Sequence, residues 1–234
     1  MEPLFTLQDV SIRYKRSGNI FRRSSYHDAL KSVSFNIYPG ETLGIIGSNG
    51  SGKSTLLRLI SGVIKPDSGQ IINHGASVSL LVLQAGFNPH LNGRDNAILN
   101  GMLQGFSRKE VENNLTAIHE HSELGDFFYE PIRTYSTGMR ARLGFSISIT
   151  LKPDLLLIDE VLSVGDSQFK KKAEETMAQK IRSDQTVVLV SHTPAQIKRL
   201  CDRAVLLDSG FSKAEGDPDD ILRIYENLNH TQIR

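Results

Sequence analysis

The run Gly47-Ser48-Asn49-Gly50-Ser51-Gly52-Lys53-Ser54 fits the pattern of a glycine, four residues, then Gly-Lys-Ser/Thr. Average residue usage gives only about 0.01 accidental matches in a chain of this size. The residue types suit phosphate binding. Glycines let the backbone curl so that successive N–H groups point inward at phosphate oxygens. A helix beginning near Lys53 adds the positive end of its dipole. The Lys53 ammonium then reaches the β- and γ-phosphates of a nucleotide, the Ser54 hydroxyl ligates Mg²⁺, and Thr55 adds a phosphate contact.

Two acids extend this chemistry. Leu155-Leu156-Leu157-Ile158 is an apolar strand that runs into Asp159 and Glu160. An acid at the C-terminal end of a parallel strand sits where α/β sheets bind ligands. Asp159 would hold Mg²⁺ opposite Ser54, and Glu160 would polarise an attacking water as general base. Upstream lies Tyr135-Ser136-Thr137-Gly138-Met139-Arg140, which opens a helical pattern. Ser136 can donate its hydroxyl to an anion, and Gly138 permits close backbone approach at a positive helix end. The same residues also read as a plain N-cap made by Ser136 or Thr137.

The elements around these residues set their positions. Leu4–Tyr14 and Val33–Tyr38 alternate apolar and polar residues and read as strands. Lys15–Lys31, with Lys15, Arg16, Arg22, Arg23 and Lys31, reads as a surface loop, either solvated or a basic contact to an anionic ligand or phospholipid. Thr42–Ile46, the glycine-rich turn and Lys53–Ile60 make strand, loop and helix. Gln70–Asn73 and Val78–Leu83 read as strands. Helical patterns follow over Arg94–Leu103, Arg108–His121 and Thr137–Ile149. Beyond the strand Leu155–Ile158 come a helix over Asp166–Ile181, strands at Thr186–Val190 and Ala204–Leu207, and a closing helix over Asp217–Glu226. The expectation is an α/β core with a mainly parallel sheet, interrupted by a helical insert.

Composition narrows the function. The chain has 234 residues, 39% of them hydrophobic and 23% charged, enough to bury a sizeable core. Lys and Arg total 27 against 26 Asp and Glu, a formal +1, without the basic surplus of a bulk nucleic-acid binder. Cys201 stands alone, so no intrachain disulfide forms and a reducing compartment is expected. No stretch reaches the ~18 apolar residues of a membrane-spanning helix, and Met1–Val10 does not read as a secretory signal.

With Tyr135–Met139 ahead of Asp159, the sequence resembles the ATP-binding cassette (ABC) ATPases over nearly its whole length. The signature of that family is most often Leu-Ser-Gly-Gly-Gln. Here it is Tyr-Ser-Thr-Gly-Met, similar to the Tyr-Ser-Ser-Gly-Met form of ATPases that export lipid-linked polysaccharides such as O-antigen, capsule and teichoic acid. Ala85-Gly86-Phe87-Asn88-Pro89, Gly93-Arg94-Asp95-Asn96 and the lengthened stretch Arg16–His27 resemble the same branch.

The resemblance implies a single phosphate-loop ABC domain over residues 1–234. Its core and antiparallel β subdomain would take about 1–84 and 152–234, and its helical subdomain about 85–151. It implies that Gln84 senses Mg²⁺ and the γ-phosphate, and that His192 contacts the γ-phosphate. Ser163 and Asp166 would lie in a loop crossing a dimer interface. Tyr14 would stack on adenine, with Tyr26 as the alternative and ordinary strand packing as the plainer reading of Tyr14. One phosphate loop and one signature per chain imply a homodimer, with ATP held between the loop of one copy and Ser136, Thr137 and Gly138 of the other.

A separate transmembrane permease would dock on the helical insert near Gln84–Leu103, at the cytoplasmic face of the inner membrane of a bacterium. The implied activity is ATP hydrolysis that drives export of an O-antigen-like lipid-linked polysaccharide; a nutrient importer is the alternative. No nucleic-acid partner is expected. Some members of the branch carry an appended carbohydrate-binding domain. The chain ends at Arg234, so that domain is expected to be either lacking or truncated away.

Overall fold

The computed structural model describes residues 1–16, 25–81, 86–159, 167–181 and 183–231. Along the chain run β1 (Phe5–Arg16), β2 (Ser25–Ile37), β3 (Thr42–Ile46), α1 (Lys53–Ile60), β4 (Ser68–Asn73) and β5 (Val78–Leu80). Then come α2 (Gly93–Leu103), α3 (Arg108–Ser122), short 3-10 turns at Gly125–Tyr129 and Ile132–Thr134, and α4 (Thr137–Thr150). The chain continues through β6 (Leu155–Ile158), α5 (Ser167–Ile181), β7 (Thr186–Ser191), α6 (Pro194–Leu200), β8 (Arg203–Asp208), β9 (Phe211–Gly216) and α7 (Pro218–Thr231). Two compact units result. The first comprises Met1–Ala76, Leu157–Glu160 and Asp184–Arg234, and the second Ser77–Leu156 and Val161–Ser183, so far as these are described.

In the first unit β1 is the middle strand of an antiparallel sheet, between β2 and β4. Phe5 and Leu7 point into the core, and so do Val10 and Ile12. Strict alternation from Leu7 would turn Val10 outward. A bulge between Leu7 and Val10, with Asp9 at φ 50°, adds the residue that keeps the apolar side inward. Ser25–Lys31 is strand, not the loop expected for Lys15–Lys31. Lys15 pairs with Tyr26, Tyr14 with His27 and Arg13 with Asp28. Cross-strand partners settle this, because the polar run has no alternation to show. The Arg13 guanidinium meets the Asp28 carboxylate at 2.6 Å on the outer face. Arg22 and Arg23 lie outside the described residues.

The parallel sheet of this unit carries the order β7-β3-β8, with Thr42 opposite Val187 and Leu43 opposite Arg203. β3 and β7 are buried along their whole lengths, as their continuous apolar runs require. The Leu157–Ile158 end of β6 lies beside β7. β9 adds an antiparallel edge on β8 across the Ser209-Gly210 turn. Sequence patterning does not reveal β9, because Phe211-Ser-Lys-Ala-Glu-Gly is a charged edge strand with little to bury. It also leaves out α6, a short helix opened by Pro194 at its first turn. α7 lays Ile221 and Leu222 on Ile46, Ile197 and Leu206. Arg203 enters β8 with its guanidinium 2.8 Å from the Glu41 carboxylate, bonded to the Asn36 carbonyl and set over the Tyr38 ring.

The second unit is mostly helical. α2, α3, α4 and the 3-10 turns enclose a core that includes Ala97, Val111, Ile118, Phe128, Leu143 and Ile147. α3 starts in a capping box made by Ser107 and Glu110, and α2 is capped by Asn92. Beside β5, the Leu155 N–H donates to the Ser77 carbonyl at 3.0 Å, and the Ser77 hydroxyl donates to Asp154 at 2.7 Å. α5 sets Phe169 edge-on against Phe145 of α4, while Lys172 pairs with Glu123 at 2.5 Å.

Candidate nucleotide site

β3 delivers the chain from the buried sheet into the glycine-rich turn, and α1 leaves it. Gly52, at φ 108°, caps α1, and a Cβ there would stand 2.5 Å from the Ala29 carbonyl oxygen. An L side chain is therefore excluded by both conformation and space. Lys53 is buried, and its ammonium donates to the carbonyls of Gly47 (2.7 Å) and Ser48 (2.8 Å), arching over the turn. The Ser51 hydroxyl is buried in the same turn with no hydrogen-bond partner among the described residues. A buried orphan hydroxyl beside a lysine fits a site built for an anion. Gly47 is buried, Ser48 and Thr55 are partly exposed, and Asn49, Gly50 and Ser54 are exposed.

Asp159 follows β6, and its carboxylate accepts a 3.3 Å hydrogen bond from the Ser54 hydroxyl. Hydroxyl and carboxylate oxygens are the hard ligands Mg²⁺ takes. Ile46 and Ser191 are paired across β3 and β7. The phosphate loop and His192 consequently leave the same C-terminal edge of the parallel sheet, where such sheets bind ligands. His192 itself is exposed. The first unit thus brings together the phosphate loop, Lys53, Ser54, Asp159 and His192. Gln84, Glu160, Ser163 and Asp166 lie outside the described residues.

Tyr14 is 39% exposed near the end of β1. Tyr26 is more exposed still, and its ring lies 5.7 Å from the Arg13 guanidinium. Tyr26 lines a cleft of about 550 Å³ with Arg13, Asp28, Lys31 and Asp67, and Tyr14 does not.

In the second unit Ser136 caps α4, its hydroxyl oxygen accepting from the Met139 N–H at 3.2 Å. The N-cap reading of this segment is therefore realised. Ser136 and Thr137 are exposed and Gly138 half-buried, while the preceding Tyr135 is buried. Burial pushes the Tyr135 phenol up to about 12. The residues singled out near 88 and near 96 turn out to be bonded to one another. Asn96, fully buried in α2, accepts from the Asn88 N–H at 2.7 Å and donates its amide to the carbonyls of Asn88, Leu91 and Asn92. The only sequence signal for this was a polar Asn on the apolar side of a helix.

A glycine phosphate loop at a parallel-sheet edge, faced by a serine–aspartate pair and a histidine, defines a phosphate-loop nucleotide-binding domain. The chain belongs to the ABC transporter family, whose model matches residues 30–163. It is 45% identical to the ABC transporter protein AbcA of Aeromonas salmonicida over 87% of this chain and 66% of that one. It is 41% identical to the O-antigen export system ATP-binding protein RfbB of Klebsiella pneumoniae over 94% of this chain and 89% of that one. To the teichoic acids export ATP-binding protein TagH of Shouchella clausii it is 40% identical over 85% of this chain, which spans 55% of that protein. Its fold matches the dimeric ATP-binding cassette MJ0796 bound to ADP and Pi with a TM-score of 0.71 at 22% identity, covering 92% of this chain and 98% of that one. The chain carries the expected fold, a parallel core sheet with an antiparallel β sheet and a helical unit, and it is an ATP-binding, ATP-hydrolysing cassette. No described helix is long and apolar enough to cross a membrane.

Proposed function

We propose that this chain drives export of a lipid-linked, O-antigen-like polysaccharide across the cytoplasmic membrane, as two copies acting on a separate transmembrane permease. The observation that carries this reading is the 41% identity to an O-antigen export ATP-binding protein, over 94% of this chain and 89% of that one. The Tyr135–Met139 signature supports it, since the importer alternative would carry the common Leu-led form.

In this reading the phosphates of ATP lie in the Gly47–Ser54 loop, and Lys53 exchanges its carbonyl partners for β- and γ-phosphate oxygens. Thr55 adds a phosphate contact, and Tyr14 stacks on adenine. Ser54, Asp159 and Gln84 are the residues that would hold Mg²⁺, which neutralises phosphate charge when bound. Glu160 takes the proton of the attacking water, and His192 steadies the γ-phosphate. Ser136, Thr137 and Gly138 of the second copy close over the same phosphate, with Ser163 and Asp166 at the interface. Loss of the γ-phosphate removes the link between the copies, so ATP acts as the closing switch.

The helical unit near Gln84–Leu103 is the docking face for the permease, and the site of action is the cytoplasmic face of the inner membrane. The residues from 1 to 84 and from 152 to 234 form the core and β subdomain, and those from 85 to 151 the helical subdomain, of one ABC domain.

The test is deletion of the gene in its host and complementation with wild type or Glu160→Gln. Surface glycan should disappear and lipid-linked polymer accumulate inside, with only the wild type restoring export. Unchanged surface glycan would reject polysaccharide export and leave the ATP-driven cassette standing.

A further inference from the structure

Tyr135 leads the signature, where the common form has leucine, and both of its ends are fixed. Its N–H donates to the Ile132 carbonyl at 3.0 Å, and its hydroxyl donates to the Phe127 carbonyl on the Gly125–Tyr129 turn. Tyr135 is 4% exposed, and this hydrogen bond is part-buried. A leucine would leave the Phe127 carbonyl without that donor, a loss that costs more in a buried setting than at the surface.

The hydroxyl also dictates a residue on another helix. Gly93 is the first residue of α2, and a Cβ placed on it would collide with the Tyr135 hydroxyl and stand 2.8 Å from the Phe128 carbonyl oxygen. The segment before Gly93 is held against the same region. The Ile132 N–H donates to the Leu91 carbonyl at 2.9 Å, and the Arg133 N–H donates to the Pro89 carbonyl at 3.1 Å. Gly93 and Tyr135 are therefore complementary in shape: only a residue without a side chain leaves room for the hydroxyl.

We infer that Tyr135 and Gly93 form a matched tether that positions Ser136, the next residue along the chain, for closure on the nucleotide of a second copy. Tyr135 is a positioning residue, because it acts through Ser136. The inference rests on the two-copy reading given above. The tether fixes the angle at which α4 and its cap leave the 3-10 turns, so loosening it spreads Ser136 over several positions. Nucleotide affinity of the separate copy is untouched, since the phosphate loop belongs to the other unit.

The test measures specific ATPase activity with MgATP as a function of protein concentration for wild type, Tyr135→Phe, Gly93→Ala and the double variant. Tyr135→Phe should raise the protein concentration for half-maximal activity about tenfold, as loss of one part-buried hydrogen bond implies. Gly93→Ala should raise it at least as much. The double variant should be no worse than Gly93→Ala alone, because the two changes break one contact. A purely structural loss would lower the plateau and leave the midpoint unmoved, which would overturn the inference. So would single effects that multiply in the double variant. If wild-type activity is absent or independent of protein concentration, and light scattering with MgATP finds only monomer, the two-copy reading falls. Urea unfolding of the same four proteins then decides the contact alone: midpoint losses that add reject it, and non-additive losses uphold the Tyr135–Gly93 contact while its role in closure falls with the two-copy reading.

Discussion

The Ser54 hydroxyl and the Asp159 carboxylate meet at 3.3 Å, although 105 residues of chain separate them. Each comes from the edge of the same sheet, one at the start of α1 and one at the end of β6. The pair offers two hard oxygens at the mouth of the phosphate loop. Asp159→Asn should lower ATPase activity by about 100-fold, with Ser54→Ala close behind. Titration with ATP with and without Mg²⁺ checks the cause: the wild type should bind more tightly with the metal, and the variants should not. Equal Mg²⁺ enhancement in the variants would remove the pair from that role.

Glu160→Gln keeps the shape of the side chain and removes the carboxylate proposed as the base. Hydrolysis should fall by roughly 100- to 10,000-fold while ATP still binds. Light scattering with MgATP should then find a stable dimer, reverting to monomer after the nucleotide is removed. Monomer alone at high protein concentration would count against closure by a second copy.

His121 gives the helical unit a pH dependence. Its ring lies among Phe145, Phe169 and Ser146, and its Nε2 is buried without a partner among the described residues. Burial holds the imidazole below its ordinary value of 6.5, the Lys172 ammonium pushes the same way, and Glu123 opposes them. The unfolded chain therefore binds a proton that the folded chain refuses. Stability is full above 6.5 and declines as the pH falls toward the folded value. The urea midpoint should drop between neutral and mildly acid pH, and His121→Gln should flatten that slope.

Arg203 and Glu41 are a largely buried pair, with side chains 21% and 13% exposed. Arg203→Met leaves the Glu41 carboxylate without its guanidinium and should cost about 2–4 kcal/mol. The double variant Arg203→Met, Glu41→Leu should recover part of that loss. Chemical unfolding of both proteins gives the comparison, and an equal or larger loss in the double variant would show that the charge pair is not the cause.

Asn96 is the peg of the 88–92 turn. Asn96→Leu strands the Asn88 N–H and the carbonyls its amide bonds, all part-buried, and should cost about 2–4 kcal/mol. Thermal unfolding measures the loss, and a change within error would place those groups in water.

Much of the site was legible from contiguous residues. The phosphate loop, its helix and the apolar strand running into Asp159 are local patterns: spacing along the chain sets spacing in space. The helices of the insert were legible too, because an apolar stripe every three to four residues survives in a list of letters. The start of β2 was not. Tyr26, His27 and Asp28 look like loop until Arg13, Tyr14 and Lys15 are set opposite them. β9 escaped for a similar reason, since backbone pairing with β8, and not apolar content, makes it a strand.

The sequence by itself determined a glycine loop with the residue types of a phosphate site, an acid that follows a buried strand, and a tyrosine at the head of the Tyr135–Met139 segment. Those are properties of neighbours along the chain. Only the tertiary structure decided that Ser54 bonds Asp159, that His192 leaves the same sheet edge as the loop, that Asn96 holds Asn88 and that Gly93 makes room for Tyr135. Each joins residues from separate elements, and their distance is fixed by strand register and helix packing, which no local run of residues specifies.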